Sequence, residues 1–373
     1  MARPELKTSL CELLGIEYPI LLAGMGSRGK ATPAELVAAV SEAGGMGCIG
    51  GSGLAPEVIR NVIRKVRTLT RKPFGVDLLL PASLAEAAKT RSEVRSQLRE
   101  KFPKHVEFIR KLLQEQNVPE LEVDNEVVIS DQLIEAQLKV LFEEKVPMFA
   151  AGLGDPSGMV PRARAQGMKV LGLAGTVSNA KRQAQAGVDV IVAQGYEAGG
   201  HTGKIANFPL IPQVVDAVKP IPVVAAGGIS DGRGIAAALA LGATGVWVGT
   251  AFLVADECQI ANAMKDQIVK GRSQDFEIQR FYTGKTMRCF KNAVVEAWNK
   301  SGLEPLPMPY QKILMDDWNE AVAKAGRWDL HSNPAGQGAG MLTKRKPARQ
   351  IMDELVAGTI RALRDLHGTV KIA

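Results

Sequence analysis

The sequence is poor in cysteine, and its four cysteines form no recognisable pair. They lie far apart, with no Cys-x-x-Cys motif and no Cys/His spacing suited to zinc: Cys11, Cys48, Cys258 and Cys289. This pattern excludes a disulfide-rich secreted domain and a zinc module, so a reduced cytoplasmic protein without a metal is the simplest interpretation. The first ten residues lack the apolar centre of a signal peptide, and no run of about 18 apolar residues occurs. The sequence therefore predicts neither export nor membrane spanning.

Aromatic residues are also scarce, at 5% of the 373 residues, and basic residues do not gather into long runs. Lysine and arginine outnumber aspartate and glutamate by 46 to 39, which gives a net charge of +7. Surfaces that bind nucleic acid usually combine clustered positive charge with aromatic side chains. The excess charge therefore favours small anionic ligands such as phosphates over nucleic acid.

The sequence is rich in short apolar runs that alternate with helical patterns, the first of which has Thr32 as its expected N-cap. The alternation predicts an α/β fold, a (β/α)8 TIM barrel, because a doubly wound sheet has roughly six strands and places its phosphate loop after the first. The predicted strands, each closed by glycine or another small residue, are 18–23, 47–50, 74–80, 146–151, 169–173, 188–193, 221–226 and 245–248.

Two segments depart from this alternation. Residues 81–145 separate the third and fourth strands, and we predict a mostly helical insert there, either a solvated decoration or a lid over the active site. After the eighth strand, residues 256–332 are predicted to form a smaller helical subdomain that caps the barrel and contacts substrate. The predicted barrel unit comprises residues 1–255, including the insert, and 333–373.

The strongest functional signal is VDVIVAQGYEAGGHTG at 188–203, where a buried strand runs into a polar, glycine-rich loop. Glycine lets the backbone approach a ligand, and the amide of Gln194 can donate and accept hydrogen bonds. The ordinary pKa of a histidine side chain would let His201 exchange a proton near neutral pH. Because ligands in barrels bind at the carboxyl ends of the strands, His201 is a candidate catalytic residue. A surface turn with a satisfied histidine is the alternative.

Two other loops predict where an anion binds. AAGGIS at 225–230 and VGTAF at 248–252 follow the seventh and eighth strands, where barrels usually hold phosphate on backbone N–H groups. A phosphate site without a metal cluster or a Ser/His/Asp order indicates a phosphorylated organic cofactor that carries the chemistry. A third glycine-rich loop, AGQGAG at 335–340, either reaches back to this ligand or simply begins the last helix.

One acid, Asp77, lies within the otherwise apolar third strand, FGVDLLL. A buried charge is costly unless it is paired or hydrogen-bonded. Asp77 is therefore either a ligand contact or the partner of a nearby cation.

With these motifs in view, the sequence resembles the nitronate monooxygenases, formerly called 2-nitropropane dioxygenases, which are FMN-dependent barrels. The resemblance covers nearly the whole chain apart from the insert. It rests on YPILLAGMG, AQGYEAGGHTG, AAGGISDGRG, VGTAF, TGKTMR at 283–288 and AGQGAG. It implies that His201 is the catalytic base. It also implies contacts to FMN from Gly24, Met25, Gly26, Asp77, Gln194, Gly199, Gly200, Gly227, Gly228, Gly249, Thr250 and Gln337.

The activity implied by the resemblance is oxidation of alkyl nitronates by O2 to a carbonyl compound and nitrite. With a neutral nitroalkane, His201 would first remove the α-proton. The sequence departs from the family at Asp77, where asparagine is usual, and in the length of the insert.

Two other functions stay open. One is an NAD(P)H-dependent FMN reductase acting on a quinone or on an enoyl thioester of CoA or acyl carrier protein. The other is a non-catalytic flavin-binding scaffold whose insert recruits a partner. The expected partners are a small substrate and O2, without nucleic acid or membrane, and a homodimer is left open.

Overall fold

The computed structural model describes residues 3–26, 29–80, 90–123 and 130–369, and it contains an eight-stranded parallel barrel and a small antiparallel sheet. Predicted insert residues 81–89 and 124–129 lie outside this part of the chain. The strands are β1 Ile20–Leu22, β2 Gly47–Gly50, β3 Phe74–Leu80, β4 Met148–Gly154, β5 Lys169–Ala174, β6 Val190–Gln194, β7 Gly200–His201, β8 Val223–Ala226, β9 Gly245–Val248, β10 Phe276–Gln279 and β11 Met287–Phe290.

The barrel strands pair in the order β1–β9–β8–β6–β5–β4–β3–β2, each parallel to its neighbours. The open edge between β1 and β2 is nearly closed by two backbone hydrogen bonds. The Leu22 N–H donates to the Met46 carbonyl (2.9 Å), and the Met46 N–H donates to that of Ile20 (3.0 Å). The predicted (β/α)8 barrel is therefore confirmed.

Helices follow most barrel strands and cover the outside of the barrel. The α-helices of the described residues, including those outside this layer, are α1 Ser9–Leu14, α2 Ala34–Glu42, α3 Pro56–Leu69, α4 Arg91–Lys101, α5 Pro103–Glu115, α6 Asp131–Glu143, α7 Val160–Ala165, α8 Val177–Ala186, α9 Asn207–Val218, α10 Gly232–Ala240, α11 Thr250–Leu253, α12 Asn262–Lys270, α13 Ala293–Ser301, α14 Tyr310–Lys324 and α15 Ala348–Thr369. Two short 3-10 helices, Ser273–Asp275 and Gln337–Met341, lie near the barrel mouth.

Continuous apolar runs form the barrel strands because both strand faces are buried. Alternate side chains such as Leu21 and Val192 pack in one cluster with Leu10 of α1, while their neighbours Ile20 and Ile191 pack in another with the surrounding helices. The first cluster fills the barrel and the second joins strands to helices. This two-sided burial holds the strand ends, and therefore the loops that follow them, in fixed positions.

A separate hydrophobic core lies over the barrel mouth. It combines α4 and α5 of the insert with α13, α14 and the residues between β10 and β11, and its largest members include Trp298 and Trp318. Arg95 of α4 pairs with Asp317 of α14 (2.8 Å). The third insert helix, α6, instead packs against the barrel through Ile134 and Leu138. The first two insert helices thus share their core with the cap, although the predicted domain limits themselves stay a prediction.

The cap is not wholly helical, contrary to the pattern predicted for residues 256–332. β10 and β11 pair antiparallel within it, and β11 also pairs with β7, which belongs to the loop after β6. In this pairing His201 lies opposite Met287, and Gly200 lies opposite Arg288. Strands of four residues are too short to give a clear alternation in the sequence. Their pairing fixes the glycine-rich loop to the cap.

Candidate active site

A cavity of about 1580 Å³ opens at the carboxyl ends of the barrel strands, beneath the cap. Barrel loops form one wall, mainly with glycines and backbone groups, and the β10–β11 segment and α14 form the other. Predicted site residues that line the cavity are Gly24, Met25, Gly26, Asp77, Gln194, Gly199, Gly200, His201, Gly227, Gly228, Gly249 and Thr250. The structure thus brings together twelve of the thirteen predicted positions.

Gln337 is the predicted site residue that does not line the cavity. Its backbone N–H donates to the Glu197 carbonyl (3.0 Å), so it supports the loop after β6 from behind. The surrounding AGQGAG loop nevertheless reaches the site, because Gly338 lines the cavity and the Gly336 N–H donates to Thr250 Oγ1 (2.9 Å). A Cβ at Gly199 would lie 2.5 Å from the Ala335 carbonyl carbon, which shows how closely the two loops pack.

The loop after β6 is held by hydrogen bonds within itself and to its neighbours. Gln194 Nε2 donates to the His201 carbonyl (2.7 Å), and Thr202 Oγ1 donates to the Gly195 carbonyl (3.0 Å). From the cap, the buried guanidinium of Arg288 donates to the carbonyl of Tyr196 (2.9 Å) and lies over its ring. These contacts fix the backbone that carries His201.

His201 is half-buried in the cavity wall, and its Nε2 lies 3.1 Å from Thr283 Oγ1. Burial lowers the pKa of His201 most, and the positive charges of Lys285 and Lys312 contribute to its final value of about 4. At neutral pH the imidazole is therefore uncharged and can accept a proton. The same two cations favour an anion bound beside it.

The cations around His201 are only partly neutralised. Lys312 Nζ pairs with both Asp316 carboxyl oxygens (2.8 Å each). Burial alone would raise the pKa of Asp316, but Lys312 and Arg91 hold it below its ordinary value. Lys285 has no carboxylate within ion-pair distance in the part of the chain that the structure describes, and it is half-buried. It is available to a bound anion.

The loops after β8 and β9 form a glycine cradle that suits a phosphate. Gly227 and Gly228 have φ of 101° and 69°, a left-handed backbone that larger residues adopt only with strain. Ser230 lines the cavity beside them, and its buried Oγ has no hydrogen-bond partner among the described residues. An unpaired hydroxyl beside a glycine turn is the donor that a phosphate oxygen would satisfy.

The loop after β1 forms the neighbouring wall, and Thr32 holds it in place. Thr32 was the expected N-cap of α2, but that prediction is wrong, since Pro33 occupies the cap position. Thr32 Oγ1 instead donates to the Met25 carbonyl (3.1 Å) and accepts from the Gly50 N–H (2.8 Å). It thereby links the loop after β1 to β2.

Asp77 of β3 lines the cavity and is 6% exposed. Burial raises its pKa well above the ordinary value, and the nearby Gly152 backbone amide offsets this only in part. Among the described residues, no cation pairs with it, and its Oδ1 has no hydrogen bond of good geometry. Of the two interpretations of Asp77, the structure favours the ligand contact over the ion pair.

Comparison with known proteins identifies the family. The sequence model described as nitronate monooxygenase matches residues 7–358. A Mycobacterium tuberculosis protein named "Putative monooxygenase" is 37% identical, over 98% of this chain and 100% of the relative. The chain belongs to the nitronate monooxygenase family. The resemblance that the motifs predicted is thereby confirmed, and the chain is an oxidoreductase of a family in which flavin is the typical cofactor.

Solved structures of two kinds resemble this nitronate monooxygenase family member. The nitroalkane oxidase of Streptomyces ansochromogenes has a TM-score of 0.81 at 30% identity and covers 96% of this chain and 99% of its own. FabK of Thermotoga maritima has a TM-score of 0.78 at 30% identity and covers 98% of this chain and 100% of its own. Nitronate oxidation in general is supported by the family and by the first of these structures.

Several cavity residues of this nitronate monooxygenase family member escaped the sequence analysis. Ser230 and Thr283 lie inside motifs that the sequence had already singled out, AAGGIS and TGKTMR, so a closer look at their polar side chains could have found them. Gln279 and Lys312 had no local signal, because the cap fold alone brings them to the cavity. The missed cavity residues are Ser230, Gln279, Thr283, Lys285 and Lys312.

Two features of the structure concern membrane spanning and metal binding. Within the described residues, no helix is long and apolar enough to cross a membrane. In the same part of the chain, no three His, Cys, Asp or Glu side chains gather where they could hold a metal ion.

Proposed function

We propose that this protein is an FMN-dependent nitronate monooxygenase that oxidises alkyl nitronates with O2 to a carbonyl compound and nitrite, with His201 as its base. The observation that carries the proposal is an uncharged histidine set between a glycine-lined cradle and two lysines. O2 as co-substrate, a homodimeric assembly and a cytoplasmic location belong to the same proposal as predictions.

FMN fits the residues present on three counts. The cradle of Gly227 and Gly228 leaves backbone groups exposed to a phosphate, and the unpaired hydroxyl of Ser230 lies beside it. The unpaired Oδ1 of Asp77 lies on β3, elsewhere on the same barrel wall, where a polar ring edge would satisfy it. Gly24, Met25, Gly26, Gln194, Gly199 and Gly200 would hold the isoalloxazine, and Gly249 and Thr250 would complete the phosphate site. When bound, FMN supplies the electron transfer between the nitronate and O2.

The chain's own groups then position the substrate and handle its proton. A nitronate is already an anion, so Lys285 and Lys312 would stabilise it next to His201 without any proton transfer. A neutral nitroalkane must first lose its α-proton, and the uncharged imidazole of His201 would accept it. Thr283 would hold the ring at the required angle through its contact with Nε2.

The test is the visible spectrum of purified protein under anaerobic conditions, with propyl nitronate added and, separately, NADH or NADPH. We expect the nitronate alone to bleach the flavin, and nitrite to form when air is admitted. A protein that cannot take up FMN, or a flavin that nitronate never reduces, would contradict the proposal.

A reductase is the second candidate, and the cavity charges favour it as well. Arg182, Lys204 and Arg280 line the cavity in addition to the two lysines, and Asp77 is the only acidic residue among the described lining residues. Such a positive mouth also suits the phosphate groups of a nicotinamide donor or of a CoA thioester. Bleaching by NADH or NADPH but not by nitronate, in the same experiment, would favour this function.

A further inference from the structure

The carboxyl group of Asp77 is held in place by glycines on both sides. A Cβ at Gly24 would lie 2.3 Å from Asp77 Cβ, and one at Gly152 would lie 2.8 Å from Asp77 Oδ1. Neither distance is possible for real atoms, so these two positions must be glycine while an aspartate of this conformation occupies β3. The side chain is thus packed tightly, 94% buried, with its carboxyl group in the cavity wall.

No described side chain supplies a positive charge that pairs with an ionised Asp77, and the Gly152 backbone amide offsets the effect of burial only in part. The neighbours from β4 and from the loop after β1 are the glycines just named, which do not ionise. On β2 the ionisable neighbour is Cys48, and its pKa is raised by burial and then by the charge of Asp77. The other ionisable groups that line the same cavity among the described residues are Tyr196, His201, Arg182, Lys204, Arg280, Lys285 and Lys312, and none of them forms an ion pair with Asp77.

We propose, on the basis of the FMN site described above, that Asp77 binds the flavin as a neutral carboxylic acid. Its O–H group donates a hydrogen bond to the isoalloxazine ring. An ionised carboxylate can only accept hydrogen bonds, whereas the neutral acid offers one donor and one acceptor. The neutral acid therefore takes the place of the amide that the family usually has at this position. It also leaves no full negative charge beside the ring when the ring becomes anionic on reduction.

The proposal predicts that FMN binding depends on the proton of Asp77. The experiment measures FMN affinity of the flavin-free protein by fluorescence quenching from pH 6 to pH 9, for the natural chain and for Asp77→Asn. We expect the natural chain to bind equally well at low pH and to lose about tenfold in affinity per pH unit once the acid ionises. The Asp77→Asn variant should bind within a few-fold of the natural chain at pH 6 and keep that affinity at pH 9.

Calorimetry in two buffers of different ionisation enthalpy gives a second readout that does not use activity. Above the pH at which FMN affinity begins to fall, FMN binding should take up about one proton in the natural chain and none in Asp77→Asn. Cys48→Ala is the control, since it removes the ionisable neighbour of Asp77 on β2. It should leave unchanged the pH at which FMN affinity begins to fall. Alkaline ionisation of the flavin itself affects all three proteins alike.

The stability of the flavin-free protein provides an independent check. Burial raises the pKa of Asp77 in the folded chain above its unfolded value, so the acid destabilises the fold increasingly as pH rises from the unfolded pKa. Asp77→Asn should therefore unfold at a higher temperature than the natural chain at pH 8 and at the same temperature near pH 4. FMN affinity that is as flat with pH as that of the asparagine variant would overturn the proposal where the loss of stability relative to Asp77→Asn shows that the acid ionises below pH 9. A chain that binds no FMN at any pH would overturn the proposed function along with it.

Discussion

The two walls of the cavity recognise their ligands in different ways. The barrel wall consists of loops that follow the strands and offers mostly glycines and backbone groups. The cap wall consists of side chains, Gln279, Thr283, Lys285 and Lys312, that come from β10, the β10–β11 connection and α14. Backbone recognition suits an invariant group such as a cofactor phosphate, whereas side chains determine which substrate is accepted. Under the proposed function, this difference means that the barrel would bind the cofactor and the cap would select the substrate.

The strongest test of this comparison is a substitution of His201, the residue at which the two walls meet. His201→Asn should keep FMN but reduce kcat about 10²- to 10⁴-fold, because asparagine can hydrogen-bond to Thr283 and cannot accept the proton. Turnover is measured as nitrite release from nitroethane, which requires proton removal. His105→Asn, a change in α5 of the insert, is the matched control and should leave turnover unaltered. Unchanged turnover in His201→Asn would remove the histidine from the mechanism.

The next test addresses the barrel wall alone. Gly228→Val should weaken FMN binding roughly five- to hundredfold, since its backbone has φ of 69° and such strain costs about 1–3 kcal/mol in a β-branched residue. FMN affinity is measured by fluorescence quenching. Gly302→Val is the control, because Gly302 has φ of 70° at the end of α13, outside the cavity lining, and its Cβ would meet open space. Equal loss of flavin in both variants would show that the weaker FMN binding results from general destabilisation of the fold.

A smaller effect is expected from the charge of the cap wall. Lys285→Gln should raise KM for propyl nitronate about threefold to tenfold, in line with about 1 kcal/mol for one partly exposed charge, and leave FMN affinity unchanged. Lys285→Arg should retain most of the affinity for the anion.

The same variant should shift the pH profile, because Lys285 lowers the pKa of His201. The natural chain keeps its histidine neutral as pH falls until about 4, so nitroalkane turnover should persist through pH 5. In Lys285→Gln the acid limb should move to higher pH. An acid limb that stays in place would mean that the lysine charge does not reach the imidazole.

The smallest effect is expected at Thr283, which positions the imidazole from the cap. Thr283→Val should lower kcat/KM about 2- to 12-fold, the value of one hydrogen bond of 0.5–1.5 kcal/mol. Thr283→Ser keeps the hydroxyl group and should restore most of the activity. The measurement is steady-state nitrite release with nitroethane and with propyl nitronate. A loss confined to nitroethane would show that the contact serves the proton transfer itself.

The same contrast explains how much the sequence alone could predict. The barrel was predictable because each strand is a local apolar run. Each loop that was predicted to bind the cofactor directly follows its strand, as with Gln194 and Gly228. Thr32 was assigned wrongly because a threonine before a proline suits a helix cap, whereas its actual partners are Met25 in the loop after β1 and Gly50 in β2. Lys312 could not be predicted at all, since it lies in an amphipathic helix like many others. Its position depends on the core shared by the cap and the insert.

The pairing of β7 with β11 also sets an order of events during synthesis. His201 is translated before residues 283–288, which hold its ring and its strand, and before residues 335–337, which support its loop. The eight barrel strands are complete at residue 248, so the barrel loops are synthesised before the cap residues that contact His201. The glycine turn of Gly227 and Gly228 is therefore made first, and the contacts that hold His201 are complete only when about nine-tenths of the chain has been made.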